Sequence, residues 1–85
     1  MSGTGAVVRA AGGWYFIECP ACRRAHGWPG TWSWNGDVVS PTLEPELREQ
    51  DATMVCNSFI HDGLIQFLSS CTHALAGRTV PLPPV

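Results

Sequence analysis

Short runs of β-branched and aromatic residues, each followed by a turn that contains glycine, set the pattern of this chain. Residues 6–11 and 14–18 are two such runs, and Gly12 and Gly13 separate them. This arrangement predicts an antiparallel hairpin with a two-residue turn, because glycine adopts positive φ at little cost. The second run leads directly into two cysteines within residues 19–22.

A second hairpin is predicted around Asp62 and Gly63, between the apolar runs 54–61 and 64–69. A two-residue turn sets the register and pairs Ile60 with Ile65, Ser58 with Phe67, Cys56 with Ser69, and Met54 with Cys71. In that register Cys56 and Cys71 share one face of the sheet, and His73 joins them if the strand continues. Alternatively, residues 72–77 form one helical turn that begins at Thr72 and ends at Gly77.

The remaining segments carry weaker signals. A turn-rich loop over 23–30 precedes a short strand at Thr31–Trp34, which ends at Asn35. Residues 38–53 contain two prolines and an acidic run, which predicts a solvated loop with at most one helical turn. The C-terminal residues from Arg78 onward are predicted to be extended, with prolines suited to a sheet edge or to no pairing.

The composition describes a small globular domain with little helix. Apolar residues make up 45% and charged residues 14% of the 85 residues, and nine glycines and seven prolines disfavour long helices. We therefore predict one small, mostly β domain over 1–85, with a flexible start at 1–5 and a proline-rich tail at 81–85. Hydrophobic burial and chain entropy nearly cancel in so short a chain, so a metal, disulfides or a second subunit must add stability, which leaves a homodimer open.

The charge and hydropathy of the chain indicate which kinds of partner and which cellular compartment to expect. The formal net charge is −2, with five arginines and no lysine, so no basic surface for nucleic acid phosphates is expected. The sequence has no apolar stretch approaching a membrane span, and its first residues lack the basic start and apolar centre of a signal peptide. These features predict a soluble cytoplasmic protein, in which cysteines stay reduced and bind metals more often than they form disulfides.

Cys19 and Cys22 have the two-residue spacing of a zinc knuckle, and a second group of cysteine and histidine residues follows. The candidate ligands are Cys19, Cys22, His26, Cys56, Cys71 and His73. The predicted site holds Zn²⁺ through Cys19, Cys22 and Cys56, with Cys71 or His73 as the fourth ligand. His26 is either a ligand or a polar cap on its loop. Binding of a structural zinc would supply the stability that the small core lacks.

Two other uses of these cysteines are weighed against a structural metal. A redox Cys-x-x-Cys normally begins a long helix, whereas glycine and proline interrupt the chain at 27–30. A catalytic zinc keeps one position open for water and needs a nearby acid or base, for which His26, His61 and Glu18 are the candidates. His61 is most simply an exposed residue before the turn. A structural site is therefore favoured.

The chain is rich in tryptophan for its length, with Trp14, Trp28, Trp32 and Trp34. A small sheet buries its aromatic residues first, which favours a core role. Trp32 and Trp34 fall on one face of their predicted strand, and exposed beside Trp28 they would form a platform for a partner protein.

The order of motifs resembles a family of short, functionally uncharacterised proteins found mainly in bacteriophages and prophages, some of which carry an ammonia monooxygenase label. The matching segments are 19–22 with His26, 34–37, 41–45, Cys56 with 58–59, 62–68 and 71–83. The resemblance implies a phage-encoded, zinc-stabilised domain. Members often have histidine in place of Asn57 and aspartate in place of Ser70, which weakens a catalytic role here. The chain has neither the apolar spans nor the histidine-rich copper sites that the label would require.

We therefore expect a small zinc-ribbon-like protein of antiparallel hairpins. Its expected function is to bind a host or phage protein, as an adaptor or inhibitor in the host cytoplasm. The alternatives are a minimal zinc-dependent hydrolase and a zinc-ribbon module that binds nucleic acid, the latter disfavoured by the acidic charge.

Overall fold

The computed structural model describes residues 5–44, 46–50 and 52–84. These residues form nine short strands and contain no helix. The strands are β1 (Val8–Ala11), β2 (Trp14–Glu18), β3 (Ala25–Pro29), β4 (Ser33–Trp34), β5 (Leu43–Glu44), β6 (Leu47–Gln50), β7 (Val55–His61), β8 (Leu64–Phe67) and β9 (Thr79–Pro81). The prediction of a small, mostly β domain of antiparallel hairpins is confirmed. Within the described residues there is no helix long and apolar enough to cross a membrane.

Three antiparallel sheets make up the fold. One contains β1, β2 and β3 in that order, a second pairs β4 with β5, and a third has the order β6, β7, β8, β9. Neighbouring strands in every sheet are consecutive along the chain, so each sheet is a meander of hairpins. This local connectivity explains why turn residues predict so much of the architecture.

Both predicted hairpin turns are present. Gly12 and Gly13 join β1 to β2 with φ angles of 58° and 85°. Asp62 and Gly63 join β7 to β8 with φ angles of 51° and 79°, which is the left-handed conformation that a two-residue primed turn requires. The pairs Ile60–Ile65 and Ser58–Phe67 have the predicted register.

The predicted pairing beyond Phe67 is wrong, because β8 ends there. A turn closed by a hydrogen bond from the Cys71 amide to the Leu68 carbonyl shortens the path of the chain. Thr72 therefore meets Val55 through its amide and hydroxyl, and the predicted pairs Cys56–Ser69 and Met54–Cys71 do not form. The prediction assumes a regular ladder of strand pairs and therefore does not include this turn.

Residues 73–77 form hydrogen-bonded turns, not a continued strand or a helix. The Ala76 amide bonds to the His73 carbonyl, and the Arg78 amide bonds to that of Leu75. Gly77 has φ 77°, so it ends the turn as the alternative prediction expected. Thr72 is not a helix cap, since its hydroxyl bonds to the backbone of Val55.

The acidic segment predicted as a solvated loop contains two strands, β5 and β6, so that prediction is wrong for 43–44 and 47–50. Leu47 is 2% exposed, and β6 pairs along its length with β7. Burial alternates along β6, which places Leu47 and Glu49 on the inner side. The partner strand offers backbone groups that outweigh the weak β-propensity of a charged segment. Pro45 and Asp51 lie outside the described residues.

The loop after β4 is held by side chains that bond to its own backbone. Asn35 Oδ1 accepts hydrogen bonds from the amides of Asp37 and Thr42, and Asp37 Oδ1 accepts from those of Ser40 and Val39. The two amides that bond to Asp37 lower the pKa of its carboxyl, chiefly the amide of Ser40.

That loop, residues 35–42, also joins the first sheet to the third. The Val38 carbonyl accepts hydrogen bonds from the amides of Val7 and Val8, and the Pro41 carbonyl accepts one from Gly63. The segment between the hairpins therefore fixes their relative position.

One cluster of buried apolar side chains forms the core of the described residues. Trp28 is 0% exposed and packs against Trp34 at a centroid distance of 5.6 Å. The predicted tryptophan platform is therefore wrong for Trp28, and Trp32 and Trp34 are half-buried against the core. Trp14 is the exposed tryptophan, at 47%.

The C-terminal segment is an edge strand, one of the two arrangements expected from its prolines. β9 pairs with β8, and Pro81 lies opposite Leu64 as the last strand residue. Leu82, within the predicted tail, is 6% exposed and belongs to the core. The predicted flexible start, apart from Gly5, lies outside the described residues.

Candidate metal centre

The connection between β2 and β3 forms a cysteine knuckle. The Cys19 amide bonds to the Arg24 carbonyl, and the Arg23 amide bonds back to the Cys19 carbonyl. The Cys22 amide points at Cys19 Sγ from 3.4 Å. Arg23 has φ 57°, which turns the chain back into β3. Local backbone geometry thus directs both sulfur atoms to one side of the loop.

Cys19, Cys22, His26 and Cys56 bring four ligand atoms within 4.8 Å of one another. His26 lies on β3 opposite Ile17, whereas Cys56 comes from β7 in the third sheet. The Cys19 and Cys56 sulfur atoms are 3.9 Å apart. A tetrahedral zinc with Zn–S bonds of about 2.3 Å would separate two sulfur ligands by about 3.8 Å. The spacing of this pair therefore fits a metal site.

His26 fits the role of a ligand because its imidazole is buried without other bonding. It is 1% exposed, and neither ring nitrogen has a hydrogen-bond partner among the described residues. An unpaired ring nitrogen in a protein interior costs free energy, which a bound metal would offset for the nitrogen that it coordinates. Glu49 Oε1 lies 3.9 Å from His26 Nδ1, so a carboxylate is near the ring, as is common around metal-bound histidine.

The three cysteines of the knuckle site differ in how readily their thiols ionise. A hydrogen bond from the Cys56 thiol holds the pKa of Cys19 well below its usual value, against the opposing effect of burial. The same hydrogen bond raises the pKa of Cys56, and burial raises that of Cys22. Cys19 is therefore the cysteine of this group that ionises most readily.

A second group shares Cys56 and contains Cys71 and His73, with ligand atoms also within 4.8 Å. His73 Nε2 lies 3.4 Å from Cys56 Sγ. Cys71 Sγ accepts a hydrogen bond from the Asn57 amide and donates one to the Asn57 carbonyl. The structure thus places all five predicted ligands at one centre, divided between two groups, and adds His26 to the group with four members.

Sequence reasoning missed two residues of this centre. Glu49 faces it because β6 pairs Glu49 with Cys56, and the assignment of this segment as a loop concealed that contact. The sequence of this strand has one apolar residue, Leu47, followed by three polar ones, so it carries no alternating pattern that predicts a strand. Met54 places its sulfur 3.6 Å from Cys22 Sγ, and no motif indicated it.

Of the three residues considered for acid or base catalysis, His26 lies at the centre and the other two do not. Neither Glu18 nor His61 belongs to either group of candidate ligands in the described residues. The His61 side chain is 74% exposed and lies 3.3 Å from Asp62 at the hairpin turn, which is the position expected from sequence.

The fold and this centre together define a small all-β domain of antiparallel hairpins with a Cys/His cluster that can hold a metal ion. Comparison with protein-family models, curated proteins and solved structures finds no match for the chain. The function is therefore argued from the chemistry of the centre and of the protein surface.

Proposed function

We propose that the protein is a zinc-binding domain in which Cys19, Cys22, His26 and Cys56 hold a structural Zn²⁺. The observation that carries the proposal is the convergence of these four ligand atoms within 4.8 Å from two different sheets. Three thiolates and one imidazole are a donor set that structural zinc sites use, and four protein ligands complete the tetrahedron. Four protein ligands leave no coordination position for water, whereas the zinc of a hydrolase keeps one. The ligand set therefore favours a structural site over a catalytic one.

Metal analysis of protein purified without added metal tests this proposal. We expect about one zinc per chain, the stoichiometry of a single tetrahedral site. Cys22→Ser is expected to lose the metal, whereas Cys71→Ser, a matched change in the second group, is expected to retain it. Wild-type protein without zinc, or loss of zinc from Cys71→Ser alone, would contradict this ligand set.

We further propose that a surface groove binds a partner protein, so that the domain acts as an adaptor or inhibitor. The groove has a volume of about 980 Å³ and lies over the outer side of β7. Trp32, Leu43 and Phe59 contribute its apolar surface. Phe59 is 40% exposed, so its ring is available to a partner at the groove.

The charges of the groove indicate the kind of segment it would accept. Glu44 and Glu46 line it together with His61 and with Arg48, which lies 3.5 Å from Glu46, so its carboxylates outnumber its guanidinium groups by one. The complementary occupant is a peptide segment with a large apolar side chain next to arginine or lysine. The resemblance to phage proteins makes a protein of the host cytoplasm the expected source of that segment.

Binding to an array of short peptides tests the groove. Each peptide contains phenylalanine or leucine followed by arginine, lysine or glutamate. The basic peptides are expected to bind, and Phe59→Ser is expected to abolish their binding. Leu64→Ser is the matched control, since Leu64 is 41% exposed on the neighbouring strand but does not line the groove. Equal binding of basic and acidic peptides, or equal losses in both variants, would refute this occupant.

A further inference from the structure

His73 is held in one orientation by two hydrogen bonds, one to each ring nitrogen. The backbone amide of Leu75 donates to His73 Nδ1 at 3.2 Å, and His73 Nε2 lies 3.4 Å from Cys56 Sγ. The ring also packs edge-on against Phe67 at a centroid distance of 4.6 Å. These three contacts fix both the position and the rotation of the imidazole.

The amide of Leu75 determines which nitrogen carries the proton. A backbone N–H only donates, so Nδ1 must present its lone pair, and the neutral ring then carries its proton on Nε2. Coordination of a metal by Nε2 would require the proton to move to Nδ1, where it would face the N–H of Leu75. The geometry that holds His73 therefore opposes its use as a metal ligand.

We propose that His73 is a positioning residue that donates an Nε2–H···Sγ hydrogen bond to Cys56 and is not itself a ligand. The role of this bond at the metal-bound centre rests on the proposed zinc function, whereas the bond itself does not. It extends a chain of contacts that runs from the Leu75 amide through His73 to Cys56, whose sulfur lies 3.9 Å from that of Cys19. Hydrogen bonds in such chains strengthen one another.

At a metal-bound centre the same donor serves Cys56 as a thiolate. Three thiolates and one neutral imidazole around Zn²⁺ leave one net negative charge, and N–H donors to sulfur disperse that charge. The Cys22 amide is the corresponding donor to Cys19. Losing the donor to Cys56 is expected to make this sulfur more reactive and the metal easier to remove.

Cys71 supports the same strand by a different contact. Its thiol bonds to both the amide and the carbonyl of Asn57, the residue after Cys56, at 3.2 and 3.1 Å. The Asn57 carbonyl also accepts a hydrogen bond from the Leu68 amide, so Cys71 adds a partner for the Asn57 amide beyond the end of β8. Both members of the second group therefore hold Cys56 in place, and the ligand set of the first group is complete without them.

Nitrogen-15 NMR of the wild-type protein labelled at histidine tests the tautomer without any substitution. The His73 ring is expected to carry its proton on Nε2 both before and after zinc is added. A proton on Nδ1, or a metal-induced shift of Nε2 typical of coordination, would overturn the proposal. If wild-type protein binds no zinc, the ligand set fails, and the metal-free spectrum still decides whether the hydrogen bond exists.

His73→Phe removes the donor but keeps a ring against Phe67. We expect it to bind cobalt(II), used as a spectroscopic substitute for zinc, with the same visible spectrum as wild type. Zinc affinity, measured against a chromophoric chelator, is expected to fall by about 10- to 100-fold, the usual effect of losing a partner of a metal ligand. Alkylation of Cys56 by iodoacetamide should become correspondingly faster.

His61→Phe is the matched control, because His61 is exposed at the hairpin turn and should leave all three measurements unchanged. A changed cobalt spectrum in His73→Phe would make His73 a ligand. An unchanged affinity and alkylation rate would show that the hydrogen bond has no effect on Cys56. Either result overturns the proposal.

Discussion

At the scale of single residues, the metal centre depends on how readily three neighbouring thiols ionise. The pKa of Cys19 is lowered, chiefly by its hydrogen bond with Cys56, whereas the pKa values of Cys22 and Cys56 are raised. Metal binding requires all three sulfur atoms to be deprotonated. The centre is therefore partly prepared for a cation before one arrives.

The number of protons released by zinc tests this difference in ionisation. Because Cys19 is already ionised, binding between about pH 7 and 8 should release about two protons, one each from Cys22 and Cys56. The logarithm of the affinity should accordingly rise by about two for each pH unit. Calorimetry in buffers of different ionisation enthalpy measures the release. Release of about three protons would show that Cys19 is also protonated in the free protein.

Arg23 is strained in the cysteine knuckle, because its φ of 57° lies in the left-handed region. Such a conformation costs a residue with a side chain about 1–2 kcal/mol, and glycine avoids most of it. Arg23→Gly should therefore raise the free energy of unfolding of the zinc-loaded protein by about 1 kcal/mol in urea titrations. Arg24→Gly, at a position without positive φ, should lower it by about 0.5–1 kcal/mol. Equal effects would contradict strain at Arg23.

At the scale of elements, the turns differ in what surrounds them. Gly12 and Gly63 both have positive φ, but a side chain at Gly12 would meet open space. At Gly63 a Cβ atom would lie 3.3 Å from the backbone of Val39 and Ser40, within the loop that joins the sheets. The second hairpin turn is thus also a packing surface.

Replacing these glycines separates backbone strain from packing. Gly12→Ala should lower the free energy of unfolding by about 1 kcal/mol through strain alone. Gly63→Ala should lower it by about 2–3 kcal/mol, because the bonded loop over 35–42 must also move. Chemical denaturation of both zinc-loaded variants measures the difference. Equal losses would show that the loop adapts to the new side chain.

At the scale of the whole molecule, the candidate metal centre lies between two sheets that also meet through the core and through the loop over 35–42. Cys19, Cys22 and His26 belong to the β2–β3 hairpin, and Cys56 belongs to β7. A domain of this length has a total stability of about 4–13 kcal/mol. Structural zinc binding contributes about 10–16 kcal/mol, so it can exceed the whole margin.

Removal of zinc by a strong chelator is therefore expected to unfold the protein. Circular dichroism should lose its strand signal, and the amides of β2, β3 and β7 should lose protection from hydrogen exchange together, since the ligands lie on these strands. Excess zinc should restore both signals in the same sample. An unchanged spectrum and melting temperature after complete removal of zinc would show that the hydrophobic core alone keeps the protein folded.

The sequence by itself determined the features whose causes are local. Glycine at 12 and 13 and Asp-Gly at 62–63 specify their turns because few residues adopt positive φ, and the strands next to each turn then follow. The spacing of Cys19 and Cys22 likewise identifies the knuckle. These features depend on contacts within a few residues along the chain.

Only the tertiary structure decided which residues complete the centre. Leu47–Gln50 becomes a strand because the edge of β7 is available to it, and this pairing carries Glu49 towards His26. The turn after Phe67 moves Cys71 and His73 out of the predicted ladder. His26 and His73 cannot be distinguished in sequence, and the structure gives them different surroundings: the ring of His26 has no hydrogen-bond partner among the described residues, and that of His73 has two. Those surroundings come from distant segments of the chain, which no local pattern of residues encodes.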